Sequence, residues 1–293
     1  MRLVALIAGT TQDTMQPVFS GGTSLSKGYD LIKRLSEDLD FKVDPGELNQ
    51  KDAIKAFREW RRGLIESIRD SGEWALEDED IEILNNSAFV RCRIGYKSTV
   101  PLSPALRPSN RPEIKLEMSL TAPAMAPQGR QLQSWVSLAN KEKPEVSDMP
   151  CVAPVETAAD KLSALTWRVL SRDRTSEKDD KAMIRHLHDL AALKTLAISD
   201  PDFPLLVAEL LISDAKRGKL PAELSDLQGK ARLQKALDII RSDKEYRAEY
   251  DQFVLGMSYA AEGEVPSFDQ ALKSVQNLIN IPNSGRARKP QPY

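Results

Sequence analysis

Cysteine and histidine are scarce in this chain of 293 residues, with two of each. Cys92 and Cys151 lie far apart and form no CxxC or Cys/His cluster, which argues against a structural zinc site or a disulfide framework and leaves two reduced, partly buried thiols. His186 and His188 stand two apart, so a helix turns them to different faces, unlike the i,i+4 pair of a zinc site. No GxxxxGK[ST] occurs, so a P-loop is excluded. Apolar runs of membrane length are missing as well. The opening MRLVALIAG is too short and too weakly flanked for a signal peptide or a span, and the chain reads as cytoplasmic with no membrane partner. Nor does charge of one sign dominate. The 41 basic and 43 acidic side chains leave a net charge of -2, so any nucleic-acid surface must be a local patch.

What is present is ordinary for a soluble globular protein, 41% apolar and 29% charged, and long enough for one large domain or two modest ones. Leu25, Gly28, Tyr29, Ile32 and Leu35 follow helical spacing, with Thr23 or Ser24 placed to cap the start. The segment SEDLDF then reads as strand. Ile54, Phe57, Leu64, Ile65 and Ile68 define a second helix that stops near Gly72. FVRCRIGY puts Val90, Cys92, Ile94 and Tyr96 on one strand face, and EIKLEMS does the same with Ile114, Leu116 and Met118. Four prolines, at 101, 104, 108 and 112, in the connection from Lys97 to Pro112 predict a long surface loop able to act as a lid. A weaker strand is expected through RQLQSWVSL, and residues 141–154 form a proline-rich loop that marks a domain boundary. Beyond it helices are predicted over 155–170, 179–197, 203–217, 229–240, 243–260 and 267–279, before a disordered basic tail, SGRARKPQPY. The fold class is therefore α/β (α+β): a mixed sheet flanked by helices over residues 1–150, then an all-helical domain over 151–293.

One stretch asks for chemistry. In FSGGTSLSKGYDLIKRLSEDLDF, Gly21 and Gly22 sit at the mouth of a helix, where unpaired backbone N–H groups can receive a phosphate. Two glycines before a helix also mark an ordinary tight turn. Asp38 and Asp40 are two apart on a strand and so project to one face, where a bound divalent cation is one way to relieve their mutual repulsion. Magnesium suits one or two carboxylates plus substrate phosphates, and Glu117, on the polar face of EIKLEMS, is the best third acid. A solvated strand edge is the competing reading of the pair. Lys51, Lys55, Arg58 and Arg62 form a basic helical stripe, which is either a solvated face or a track for an RNA backbone.

These residues resemble the nucleotidyltransferase fold of the DNA polymerase beta type, whose signature is a GG or GS turn, a helix and a strand bearing DxD. More closely, GGTSLSKGYDLIKRLSEDLDF, IKLEMS, VETAADKLSAL and RHLHDLAAL resemble, in order over residues 18–193, the four motifs of the AbiEii/AbiGii toxin family of nucleotidyltransferases. That resemblance implies Asp38 and Asp40 as the metal-binding pair with Glu117 as third acid. It implies Gly21, Gly22, Thr23, Ser24 and Ser36 in the nucleotide seat, and Lys161 and Asp189 as functional residues of the helical domain that reach the nucleotide across an active cleft. Two departures stand out: His186 replaces an acid, and the glycine pair comes only 20 residues in, where relatives usually place a helix or more before it. Read without the family, Lys161 borders an apolar stripe where it reaches a cleft or snorkels to water, and Asp189 makes an i,i+4 pair with Arg185. The implied activity is transfer of a nucleotide from a nucleoside triphosphate to an acceptor hydroxyl, with Mg2+, or Mn2+ in its place, as cofactor. The implied acceptor is RNA, with transfer RNA favoured, and the implied setting is a type IV toxin-antitoxin or abortive phage-infection system with a cognate antitoxin. A nucleotide-binding protein without turnover and a metal-dependent phosphohydrolase or nuclease remain the alternatives.

Overall fold

The computed structural model describes residues 1–12, 14–97, 112–177, 179–215, 227–261 and 263–282. The lid expected between Lys97 and Pro112 and the basic tail expected from residue 284 lie, the two end residues of the lid excepted, outside the described residues. Two compact units divide the chain. One comprises Met1–Tyr29 and Ser36–Val152, the other Asp30–Leu35 and the described residues of Ala153–Pro292.

Alternation of apolar and polar residues builds the sheet of the first unit. In β2 (Asp38–Asp44), Leu39, Phe41 and Val43 are buried while the residues between them stay half-buried, the period of two that a sheet with one packed face requires. β5 (Phe89–Tyr96) and β6 (Glu113–Leu120) repeat the pattern, although Tyr96 is exposed at its strand's end. With β1 (Gln16–Ser20), β3 (Trp74–Ala75), β4 (Ile81–Leu84), β7 (Gln128–Leu132) and β8 (Val146–Cys151) they form an eight-stranded sheet. Its order is β3-β5-β6-β2-β1-β8-β7, with β4 also paired to β5. β2 runs antiparallel to β1 and parallel to β6, so the sheet is mixed.

The apolar face is covered by α1 (Arg2–Ala8), through Leu3, Val4 and Ile7, and by the long α3 (Gln50–Asp70), through Phe57, Trp60, Leu64 and Ile68. Asn49 caps α3 by accepting from the N–H groups of Lys51 and Asp52, and Gly72, with φ +67, follows its end. Lys51, Lys55, Arg58 and Arg62 are all exposed. Both cysteines are free and buried in this core.

Several elements differ from the sequence expectation, among them β1, β3 and β4, which it did not contain. The first helix after β1, α2 (Gly21–Lys27), begins at the glycine pair and has seven residues. Ile32 and Leu35 lie beyond it, because the left-handed Asp30 (φ 51) ends the helical path just after the C-cap Gly28. Ser20, and neither Thr23 nor Ser24, occupies the N-cap position. RQLQSWVSL is strand only to Leu132. Ser134 then caps a short helix, α4 (Trp135–Ala139), by accepting from the Ser137 N–H. Residues 141–154 contain β8, where buried Val146, Met149 and Cys151 secure a strand despite Pro150. At the start, where the sequence showed only a short apolar run, α1 buries its apolar side chains.

The second unit is helical: α5 (Pro154–Leu170), α6 (Arg185–Ser199), α7 (Phe203–Ala215), α8 (Gly229–Ser242), α9 (Lys244–Met257) and α10 (Phe268–Ile279). Val155, Ala158, Leu162, Leu165 and Val169 form the buried stripe of α5 at the expected spacing. Arg172, after α5, is gripped by Asp179 and Glu249, which fixes the connection toward α6 against α9. No helix among the described residues is long and apolar enough to cross a membrane.

Candidate functional site

The turn from β1 into α2 is shaped around a carboxylate. Gly21 has φ +73, a region that suits glycine, and a Cβ built on it would stand 2.0 Å from Asp40 Oδ2. Glycine is therefore required twice over, for backbone and for space. Ser20 pairs with Asp40 in the β1–β2 register, so the carboxylate lies beside the start of α2. Thr23 donates its hydroxyl hydrogen bond to the Asp38 carbonyl, which ties helix to strand, and Gly22, Thr23 and Ser24 are buried within α2. With only seven residues, α2 offers an anion its first unpaired backbone N–H groups more than a long-helix dipole. Ser36 sits half-buried two residues ahead of Asp38.

Asp38 and Asp40 share the sheet face opposite the core, since Leu39 and Phe41 fill the other. In the parallel β2–β6 register Asp38 pairs with Lys115 and Asp40 with Glu117, so all four side chains belong to one face. Glu117, however, is already held. Lys115 Nζ lies 2.7 Å and Arg91 Nε 2.9 Å from Glu117 Oε1, and Lys115 Nζ is 3.9 Å from Asp38 Oδ2. Burial alone would raise the Glu117 carboxyl; the Lys115 and Arg91 contacts outweigh it and keep the group below the usual carboxylate range. Among the described residues no three His, Cys, Asp or Glu side chains converge as a metal-holding cluster. Asp38 and Asp40 still fit a divalent ion, which needs only one or two carboxylates when phosphates and waters complete its shell. The space kept open by Gly21 beside Asp40 is consistent with that use.

In the second unit Asp189 is fully buried and accepts from Arg34 Nε and Nη2, both at 2.7 Å, while Lys161 Nζ lies at 2.8 Å. His188 Nδ1 is 3.3 Å from the same carboxylate. Burial would push the Asp189 carboxyl up, yet Lys161 and Arg34 hold it well below the ordinary carboxylate range. The expected i,i+4 pair with Arg185 is not made; Arg185 approaches Asp180 at 3.9 Å instead. Nor does Lys161 snorkel, being 6% exposed. His186 is buried with neither ring nitrogen hydrogen-bonded among the described residues, and burial, with Lys161 and Arg185 nearby, drives its pKa well below the usual histidine value.

Sequence reasoning missed Arg34, whose partner is 155 positions away, because long-range ion pairing leaves no local period. It assigned Arg91 and Lys115 to polar strand faces without a role. Their alternation within FVRCRIGY and EIKLEMS was the available signal, and pairing β5 to β6 in register would have brought Arg91 onto Glu117.

A family model described as "Nucleotidyl transferase AbiEii toxin, Type IV TA system" matches residues 3–274. Among solved structures the chain is similar to MenT4, a nucleotidyltransferase toxin from Mycobacterium tuberculosis H37Rv. The identity is 18% and the TM-score 0.47, over 94% of this chain and 90% of that one. No curated protein matches.

Proposed function

The chain belongs to the AbiEii nucleotidyl transferase toxin family of type IV toxin-antitoxin systems, and on that premise we propose that it transfers a nucleotide from a nucleoside triphosphate to a hydroxyl of RNA, with transfer RNA the favoured acceptor, in a magnesium-dependent reaction in the cytoplasm. Family membership makes it a nucleotidyltransferase toxin with a nucleotide substrate and a cognate antitoxin. The observation that supports the finer reading is the close approach of Asp40 to the glycine turn, where a Cβ on Gly21 would stand 2.0 Å from Asp40 Oδ2, so that turn and carboxylate pair lie side by side.

In this reading the backbone N–H groups at Gly21, Gly22 and Thr23 receive the triphosphate, with Ser24 and Ser36 bordering the seat. Asp38 and Asp40 would hold the divalent ion, Mg2+ or Mn2+, which would supply stabilisation of the charge that develops in the transfer. The acceptor hydroxyl attacks the α-phosphorus, the bond from that phosphorus to the bridging oxygen breaks, and pyrophosphate leaves. The acceptor's proton passes to a carboxylate of the pair. Lys161 and Asp189 enter as the family's functional pair in the helical unit. Glu117 enters as the third acid by resemblance alone, since its carboxylate is engaged by Lys115 and Arg91.

The test is to incubate the full chain with total bacterial RNA, magnesium and each α-labelled nucleoside triphosphate in turn, then size the labelled product. Label in the transfer RNA fraction is expected. Label in no RNA, with triphosphate binding intact, would overturn the RNA acceptor, and RNA cleavage without any donor would overturn the transfer reaction.

A further inference from the structure

The third acid of the proposed site is in the right strand and the wrong company. Glu117 shares a face with Asp38 and Asp40, yet its Oε1 is bracketed by Lys115 Nζ at 2.7 Å and Arg91 Nε at 2.9 Å. A carboxylate oxygen held by two cations is a poor ligand for a third, because the ion would have to displace charge-assisted hydrogen bonds worth about twice neutral ones. Lys115 is in the opposite position. Its ammonium has three donors; one serves Glu117, Asp38 Oδ2 stands loosely at 3.9 Å, and the side chain remains 38% exposed on the carboxylate face. We propose that Glu117 is not a metal ligand but a positioning residue that holds Lys115 beside Asp38, and that Lys115 contacts the phosphates of the nucleoside triphosphate. The proposal rests on the nucleotidyltransferase reading above and adds two roles to it.

Charge supports the assignment. Around the pair, Asp38, Asp40 and Glu117 set three negative charges; Lys115 and Arg91 are cations within 4 Å of Asp38 or Glu117, while Arg93 on the same face is bound to Asp80. A triphosphate approaching it needs a cation that is near the pair yet not committed to it. Arg91 fails that test, since its other arm is bound to Glu82 at 2.7 Å. Lys115 meets it: the grip of Glu117 fixes the ammonium at one edge of the pair, and its remaining hydrogens have no further partner among the described residues. The arrangement limits the entropy lost when a long side chain must be ordered on binding.

Four proteins test this: wild type, Lys115→Met, Glu117→Gln and the double variant, each checked for a wild-type circular dichroism spectrum. Asp40→Asn and Lys115→Arg serve as controls. Two affinities are read without reference to turnover, Mn2+ binding by electron paramagnetic resonance in the absence of nucleotide, and binding of each of the four nucleoside triphosphates by calorimetry. Lys115→Met is expected to weaken triphosphate binding about ten- to hundredfold, the cost of one charged hydrogen bond, with KM rising and kcat little changed, and to leave Mn2+ affinity unchanged or tighter. Lys115→Arg should restore most of the loss. Glu117→Gln should keep Mn2+ affinity within about twofold, weaken triphosphate binding less than Lys115→Met, and add nothing in the double variant, as residues acting through one contact do. Mn2+ affinity falling in Glu117→Gln as far as in Asp40→Asn would make Glu117 a ligand and overturn the proposal. Triphosphate affinity unmoved by Lys115→Met would overturn it too. Wild-type protein that takes up neither Mn2+ nor any triphosphate would instead refute the reading underneath, and this proposal with it.

Discussion

Asp189→Asn is the substitution whose cost can be worked most fully from the structure. Asp189 is 0% exposed and receives Arg34 through two hydrogen bonds of 2.7 Å and Lys161 through a contact of 2.8 Å, with Arg34 and Lys161 themselves 3% and 6% exposed. One carboxylate thus faces two buried cations. Asparagine keeps the shape but removes the negative charge that Arg34 and Lys161 share, and its amide presents donors where Arg34 also donates. Breaking a buried pair from one side costs about 3–5 kcal/mol, because the partner stays buried and uncompensated. Here two buried cations lose one carboxylate, so the upper end of that range is expected. Lys161→Met should cost far less, on the order of 1 kcal/mol or below, since it removes surplus positive charge and leaves the Arg34–Asp189 pair intact. The assay is urea unfolding followed by far-ultraviolet circular dichroism on the three proteins at pH 7. The sign of the pH effect is also set. The folded-state pKa of Asp189 lies below the unfolded one, so its stabilisation is full above about pH 3.9 and is lost only as pH falls from there. The difference between Asp189→Asn and wild type should therefore stay flat from pH 7 down to about 5. A stability loss under about 1 kcal/mol in Asp189→Asn, or a larger loss in Lys161→Met, would refute the reasoning.

Gly21→Ala should lower nucleotide transfer by about a hundredfold, the effect of moving a reacting group by roughly 1 Å, because its methyl must displace the Asp40 carboxylate. Gly46→Ala, at φ +57 with nothing within 4 Å, carries backbone strain alone and should leave transfer unchanged, so steady-state rates of the two variants separate strain from displacement. Histidine 186 is held neutral by burial, its folded pKa below the unfolded value near 6.5, so stability is full above that pH and falls as pH drops beneath it. Between pH 7 and 5 wild type should lose more stability than His186→Phe in urea unfolding, and equal losses would contradict the neutral assignment. Burial pushes both Cys92 and Cys151 thiols up to about 11. Neither should react with a thiol reagent at pH 8 until denaturant is added, and rapid labelling of native protein would show the core to be open.

Much of the fold was legible because half-buried strands and amphipathic helices write their burial into the sequence at fixed periods. β5 and β6 alternate cleanly, and the stripe of Val155, Ala158, Leu162, Leu165 and Val169 names the inner face of α5. Elements failed where one residue's conformation overrode the pattern. Asp30 cuts α2 short although Ile32 and Leu35 continue its spacing, and Pro144 and Pro150 disguised β8 as loop although Val146, Met149 and Cys151 are buried. Within the candidate site, Gly21, Asp38 and Asp40 were readable because turn chemistry and the period of two are local. The company each charge keeps was not. Arg34 reaches Asp189, and Lys115 and Arg91 reach Glu117, only through strand register and chain folding, which no window of sequence contains.

The central claim, that Asp38 and Asp40 with the Gly21 turn form a nucleotidyl-transfer site, is tested most directly by label transfer. Purified wild type, Asp38→Ala and Asp40→Ala, matched for circular dichroism, are incubated with magnesium, total bacterial RNA and each α-labelled nucleoside triphosphate. The account predicts label in RNA with wild type and its loss, by at least about a hundredfold, in both variants. Folded variants that label RNA as well as wild type would contradict it.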